Sequence, residues 1–169
     1  GEGNVDAMNL PKPPKVVRAV RESIEIVRGA AYGDIATGYQ GEDFQIRLPC
    51  AYPWAKSTPP QVYGTAYREQ MMRMFGRVAD GVFIGCTPPE VMAPAMEEVR
   101  AGAAKREPGM GPVRANTFWA WHLKRDRKEG YRESRRELAW RARKLDPELL
   151  AHVLSPDEVQ LVRANYDNC

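Results

Sequence analysis

The sequence predicts an α/β protein in which parallel strands alternate with helices. Three observations predict it. Short apolar runs with β-forming residues recur at residues 61–65, 81–85 and 113–121. Amphipathic stretches long enough to serve as crossovers separate them. Glycine, proline or an N-capping residue punctuates the junctions. A parallel pair needs a crossover of about a dozen residues, and each helical stretch supplies one. Such helices cover the outside of a barrel or both faces of an open sheet.

Taken in order, "GEGN" is a glycine-rich loop and "NLPKPP" a proline-marked approach to a helix. Val16, Val17, Val20, Ile24, Val27 and Ala31 recur at helical spacing, and Gly29 and Gly33 help end that helix. "DIATGYQGEDFQI" carries Tyr39, Phe44 and Ile46 around Gly41, the pattern of a small hairpin. Residues 47–60 form a proline-rich loop containing Trp54. The first parallel strand, 61–65, leads into a helix over Arg68–Ala79, whose Met71, Met72, Met74, Phe75 and Val78 give it an apolar side. Strand 81–85 follows, then a helix with Thr87 as N-cap and a proline in its first turn. Val113 to Trp121 is the third strand. Trp119 and Trp121 share one of its faces as core residues, and Phe118 takes the other. A basic helix runs from Asp126 to Leu145, with Tyr131, Leu138 and Leu145 as an inward seam. Ser155 caps a last helix.

Composition narrows the function. The chain has 169 residues, enough for one domain spanning 1–169, with 43% hydrophobic and 28% charged residues and a net charge of +3. No run is long and apolar enough for a membrane span, and no secretory signal is visible. Cys50, Cys86 and Cys169 are widely spaced and odd in number, so neither a disulfide framework nor a zinc site is expected, and the cytoplasm is the default compartment. From Lys124 to Lys144 there are ten Lys or Arg, but Glu129, Glu133 and Glu137 interleave with them. That is a solvated, internally paired helix face, and no nucleic-acid partner is expected. Dinucleotide, phosphate-loop, nucleophile-elbow and zinc-protease motifs are missing.

In parallel α/β folds the chemistry gathers at the carboxyl ends of the strands. Three exits are visible: Gly64, Thr65, Ala66, Tyr67 and Arg68; then Gly85, Cys86 and Thr87; then Trp121 and His122. At the first, small residues permit close approach, the next helix offers free N–H groups, and Arg68 can bind a phosphate. His122 is the candidate proton handler.

The order "LPKPPKVVRAVRESIEIVRG", "YQGEDFQI", "PPQVYGTAYREQMMRMFGRVADGVFIG" and "TPPEV…VRAGAAKR" resembles the luciferase-like monooxygenase superfamily. The resemblance runs to about Arg106 and more loosely through "FWAWHLKRDRKEGYRESRREL". It implies a (β/α)8 barrel and a flavin- or deazaflavin-dependent oxidoreductase acting on a small-molecule substrate. The cofactor would be reduced FMN with O2, or coenzyme F420 for hydride transfer. A homodimer is implied for the full-length protein. An alternative is a non-catalytic barrel homologue, or a partner subunit that binds flavin weakly. By position, the resemblance assigns cofactor contacts to Gly1, Gly3 and Asn4, to Gly64, Thr65, Ala66, Tyr67 and Arg68, and to Cys86 and Thr87. The family's small-residue turn after the P-x-V-Y strand is replaced here by Tyr67-Arg68. A complete barrel needs typically ~250 residues. The chain is therefore expected to be a partial barrel, with early strands before Gly1 and the last after Cys169.

Overall fold

The computed structural model describes residues 8–9, 11–33, 35, 38–47, 60–85, 89–118, 121–142, 151 and 154–164. Helix α1 (Val16–Tyr32) comes first, followed by a two-stranded antiparallel hairpin, β1 (Tyr39–Gln40) and β2 (Gln45–Ile46). Then β3 (Tyr63–Ala66), α2 (Glu69–Val78), β4 (Gly81–Gly85), α3 (Pro89–Ala103) and β5 (Arg114–Phe118) alternate. Helices α4 (Arg127–Ala142) and α5 (Pro156–Ala164) follow. The three strands β3, β4 and β5 form one parallel sheet in sequential order, with Tyr63 opposite Gly81 and Gly81 opposite Arg114. The predicted alternation is the observed one.

The sheet has one covered face. Ala66, Val82 and Ile84 are buried in a single cluster with Met72, Met74 and Phe75 of α2 and with Ala95 and Val99 of α3. Helices α2 and α3 cross at close range. A Cβ on Gly76 would lie 2.3 Å from the Val99 carbonyl oxygen, and one on Gly102 would lie 2.0 Å from that of Arg73. Only glycine permits that approach. The opposite face carries Tyr63, Thr65, Phe83, Asn116 and Phe118, placed there by the strict alternation of the strands. It is open: Phe83 is 37% and Phe118 55% exposed.

Helix α1 is tied to the hairpin through a group that periodicity does not reveal. Glu22 is buried in mid-helix, and its carboxylate accepts the backbone N–H groups of Glu42, Asp43 and Phe44, each at 2.9 Å. Burial pushes this carboxyl up. The three backbone donors outweigh that and hold it below the usual carboxylate range. Arg18 donates to Asp43 at 2.6 and 2.9 Å and pairs with Glu42, and the Tyr39 hydroxyl donates to Glu25 at 2.6 Å.

Three expectations need correction. Gly33, at φ 85°, ends α1, but Gly29 lies inside the helix, packed against Ile35. Trp121 is not core: it lies past the end of β5 and is 81% exposed, so strand alternation does not reach it. Tyr131 is not part of an inward seam. It is more than half exposed, takes a hydrogen bond from Arg127 at 2.9 Å and lies under that guanidinium. Trp54, Trp119 and Leu145, and the side chain of Leu138, fall outside the described residues.

Candidate functional site

Because the strands are parallel, β3, β4 and β5 end on one rim, and the residues expected there separate into two sets. Gly64 and Ala66 face the helical layer. A Cβ on Gly64 would lie 2.1 Å from the Phe75 ring, so its missing side chain makes room for that ring, and Ala66 is buried beside it. Thr65 and Tyr67 follow the opposite alternation, toward the open face. Thr65 is exposed. Tyr67 reaches across to the next strand: its hydroxyl lies 3.0 Å from where a Gly85 Cβ would sit. The exits of β3 and β4 thus meet through Tyr67 and Gly85.

Arg68 is exposed and occupies the N-cap position of α2 with extended backbone. No side chain caps that helix. Its first-turn amides and the Arg68 guanidinium therefore share one end of the helix, a combination suited to an anionic group. Glu69 is the one acid in that turn, and it pairs with Arg73, which also engages Glu98. Gly1, Gly3, Asn4, Cys86 and Thr87 fall outside the described residues.

The third exit carries a polar cluster that the linear sequence shows only in part. His122 lies in the segment leaving β5, and Glu133 projects from α4 to meet it. His122 Nδ1 is 3.4 Å from Glu133 Oε2, and Lys124 Nζ is 2.8 Å from Glu133 Oε1. The Lys124 ammonium holds the Glu133 carboxyl below its ordinary range, and His122 adds to that against the opposing effect of burial. Glu133 raises Lys124 in return. The expectation that Glu133 pairs along its own helix is replaced by pairing to the loop before it. Glu129 keeps a helical partner, Arg132, at 4.0 Å.

The opposite rim, at the amino ends of the strands, is knitted together. Asp80 pairs with Arg28, accepts the Val62 N–H at 2.8 Å, and exchanges backbone bonds with Val62 and Arg114. Arg106 donates to the carbonyls of Gly76 at 2.7 Å and Ala79 at 2.8 Å, closing the end of α2. A groove of about 850 Å³ lies in the helical layer between α1, α2 and α3, lined by Lys15, Arg77 and Lys105 among others, and no strand residue borders it. Among the described residues no group of acidic, His and Cys side chains could hold a metal, and no helix is long and apolar enough to cross a membrane.

Residues 2–168 match the family model described as luciferase-like monooxygenase. The fold matches the coenzyme F420 dependent tetrahydromethanopterin reductase from Methanopyrus kandleri, with a TM-score of 0.74 at 14% sequence identity. That match covers 99% of this chain and 52% of the reductase, so the chain spans about half the reductase's length, in keeping with a partial barrel. No match was found among curated proteins.

Proposed function

The chain belongs to the luciferase-like monooxygenase family, and from that premise we propose that it forms part of a flavin- or deazaflavin-dependent oxidoreductase acting on a small organic substrate. The match over residues 2–168 carries this reading. The rim geometry supports it: strand exits converge, an uncapped helix start sits beside Arg68, and Gly85 leaves space that Tyr67 approaches.

When bound, the cofactor supplies the redox chemistry, either O2 activation by reduced FMN or hydride transfer by F420. The protein's part is binding and orientation. Arg68 and the first amides of α2 hold the phosphate end. On this reading Thr65 and Tyr67 contact the cofactor from the open face of the sheet, and the family resemblance adds Gly1, Gly3 and Asn4 from the opening loop and Cys86 and Thr87 after β4. Gly64 and Ala66 act from behind by seating β3 on α2. His122 is the proton-handling group. Full length, the protein works as a homodimer in the cytoplasm.

One observation favours a second reading, a non-catalytic homologue or partner subunit with weak flavin affinity. Tyr67 lies over Gly85, where small residues would leave the rim open.

An absorbance spectrum of the full-length protein with FMN and with F420 separates the two. A bound band with one of them is expected, and Arg68→Ala should weaken that binding about tenfold, roughly 1.4 kcal/mol. If neither cofactor binds, the enzyme reading fails.

A further inference from the structure

We infer that Glu133 is a positioning residue. Its carboxylate, braced by Lys124, holds the His122 ring with its proton on Nδ1 and leaves Nε2 bare for proton transfer. This rests on the reading of His122 as the proton-handling group.

The geometry divides the two carboxylate oxygens between two partners, Oε1 to Lys124 Nζ at 2.8 Å and Oε2 to His122 Nδ1 at 3.4 Å. An ionised carboxylate only accepts hydrogen bonds, so the ring nitrogen facing it must be the one bearing hydrogen. That leaves Nε2. It is buried and has no hydrogen-bond partner among the described residues.

The opposite tautomer would be penalised, because it would turn the Nδ1 lone pair toward a negative charge. Lys124 keeps Glu133 charged and occupies its other oxygen, so the carboxylate cannot turn both oxygens to the ring. Glu129 and Arg132 are the remaining charged groups whose fields reach Lys124, and they act on it with opposite sign. The ring is thus held by a group eleven residues away on a different element.

The test is spectroscopic. The His122 signals are those that His122→Asn removes, which sets them apart from His152 and every other labelled histidine. In full-length protein carrying nitrogen-15 histidine, at about pH 8 where a free imidazole is neutral, long-range proton–nitrogen spectra show which ring nitrogen carries the proton. The expected result is hydrogen on Nδ1 and none on Nε2. Glu133→Ala should move the proton to Nε2, and Glu133→Asp should restore part of the original signal. Adding whichever of FMN or F420 gives a bound band should shift the Nε2 resonance, which a mere clip between loop and helix would not do.

A parent protein with its proton on Nε2 overturns the inference and leaves the cofactor reading intact. So does an Nε2 resonance unmoved by a cofactor that the absorbance spectrum shows to be bound. If neither cofactor binds, the functional reading falls and the positioning role of Glu133 falls with it.

Discussion

At the amino end of the three-stranded sheet, polar groups are committed to one another, with Arg106 Nε the exception among the described residues. Asp80 alone joins Arg28, Val62 and Arg114, and Arg106 closes α2. At the carboxyl end, no side-chain hydrogen bond or ion pair joins Tyr67 or Arg68 to another described residue. His122 is held through one nitrogen while its other has no partner among the described residues. The same strands run between the two rims, so the difference is one of assignment. One rim uses its polar chemistry to hold the sheet, and the other keeps it for something else. This is the division of labour that barrels of parallel strands show between their two faces.

The largest test of that contrast is Asp80→Ala. It strands the partly buried Arg28 and leaves the Val62 N–H without its acceptor, so unfolding should come about 3 kcal/mol sooner in denaturant titrations. A loss under about 0.5 kcal/mol would erase the difference between the rims.

A sharper test uses the two glycines at the ends of β4, one facing Tyr63 of β3 and the other Tyr67 just past its end. At the amino end a Gly81 Cβ would lie 2.1 Å from the Tyr63 ring, whereas at the carboxyl end the Gly85 Cβ would lie 3.0 Å from the Tyr67 hydroxyl. Gly81→Ala must displace a ring that also packs at a tilt against Phe83, with centroids 5.4 Å apart, and should cost about 2 kcal/mol. Gly85→Ala need only move the tip of a side chain and should cost less than about 1 kcal/mol. On the proposed function, Gly85→Ala should nevertheless disturb cofactor binding more than Gly81→Ala does. Equal stability losses in thermal melts would show that the rims are built alike.

The smallest expected effect is a pH dependence away from both rims. Glu22 has its carboxyl held below the ordinary range in the folded chain. Its contribution is therefore present above the unfolded carboxylate range and is lost as pH falls through the lower folded value. Acid should raise amide exchange at Glu42, Asp43 and Phe44 before it affects the core amides of β4. Simultaneous loss at both places would mean that Glu22 is not an independent anchor.

Much of the fold was legible because it rests on local pattern. The methionines and Phe75 of α2 recur at helical spacing, and they are the residues that cover β3 and β4. Asp80 and Glu22 were not legible as anchors. A single acid among apolar residues reads as surface, and the backbone N–H groups that satisfy Glu22 come from a turn twenty residues later. His122 was recognisable by residue type and position, but its partner was not, since eleven residues is no helical or strand period. Tyr131 and Trp121 misled for the converse reason. Periodicity says which residues share a face but not whether anything covers it.

The sequence by itself determined the order of strands and helices, the parallel sense of the sheet and the family. The first two follow from apolar spacing and chain length between strands, which are properties of neighbours along the chain, and the family follows from motifs that residues 2–168 share with its model. Only the tertiary structure decided that Gly64 serves Phe75, that Tyr67 crosses to Gly85, and that Glu133 faces His122 and Lys124. Those contacts depend on strand register and on where helices come to rest on the sheet, and they join residues whose separation along the chain carries no signal of their meeting.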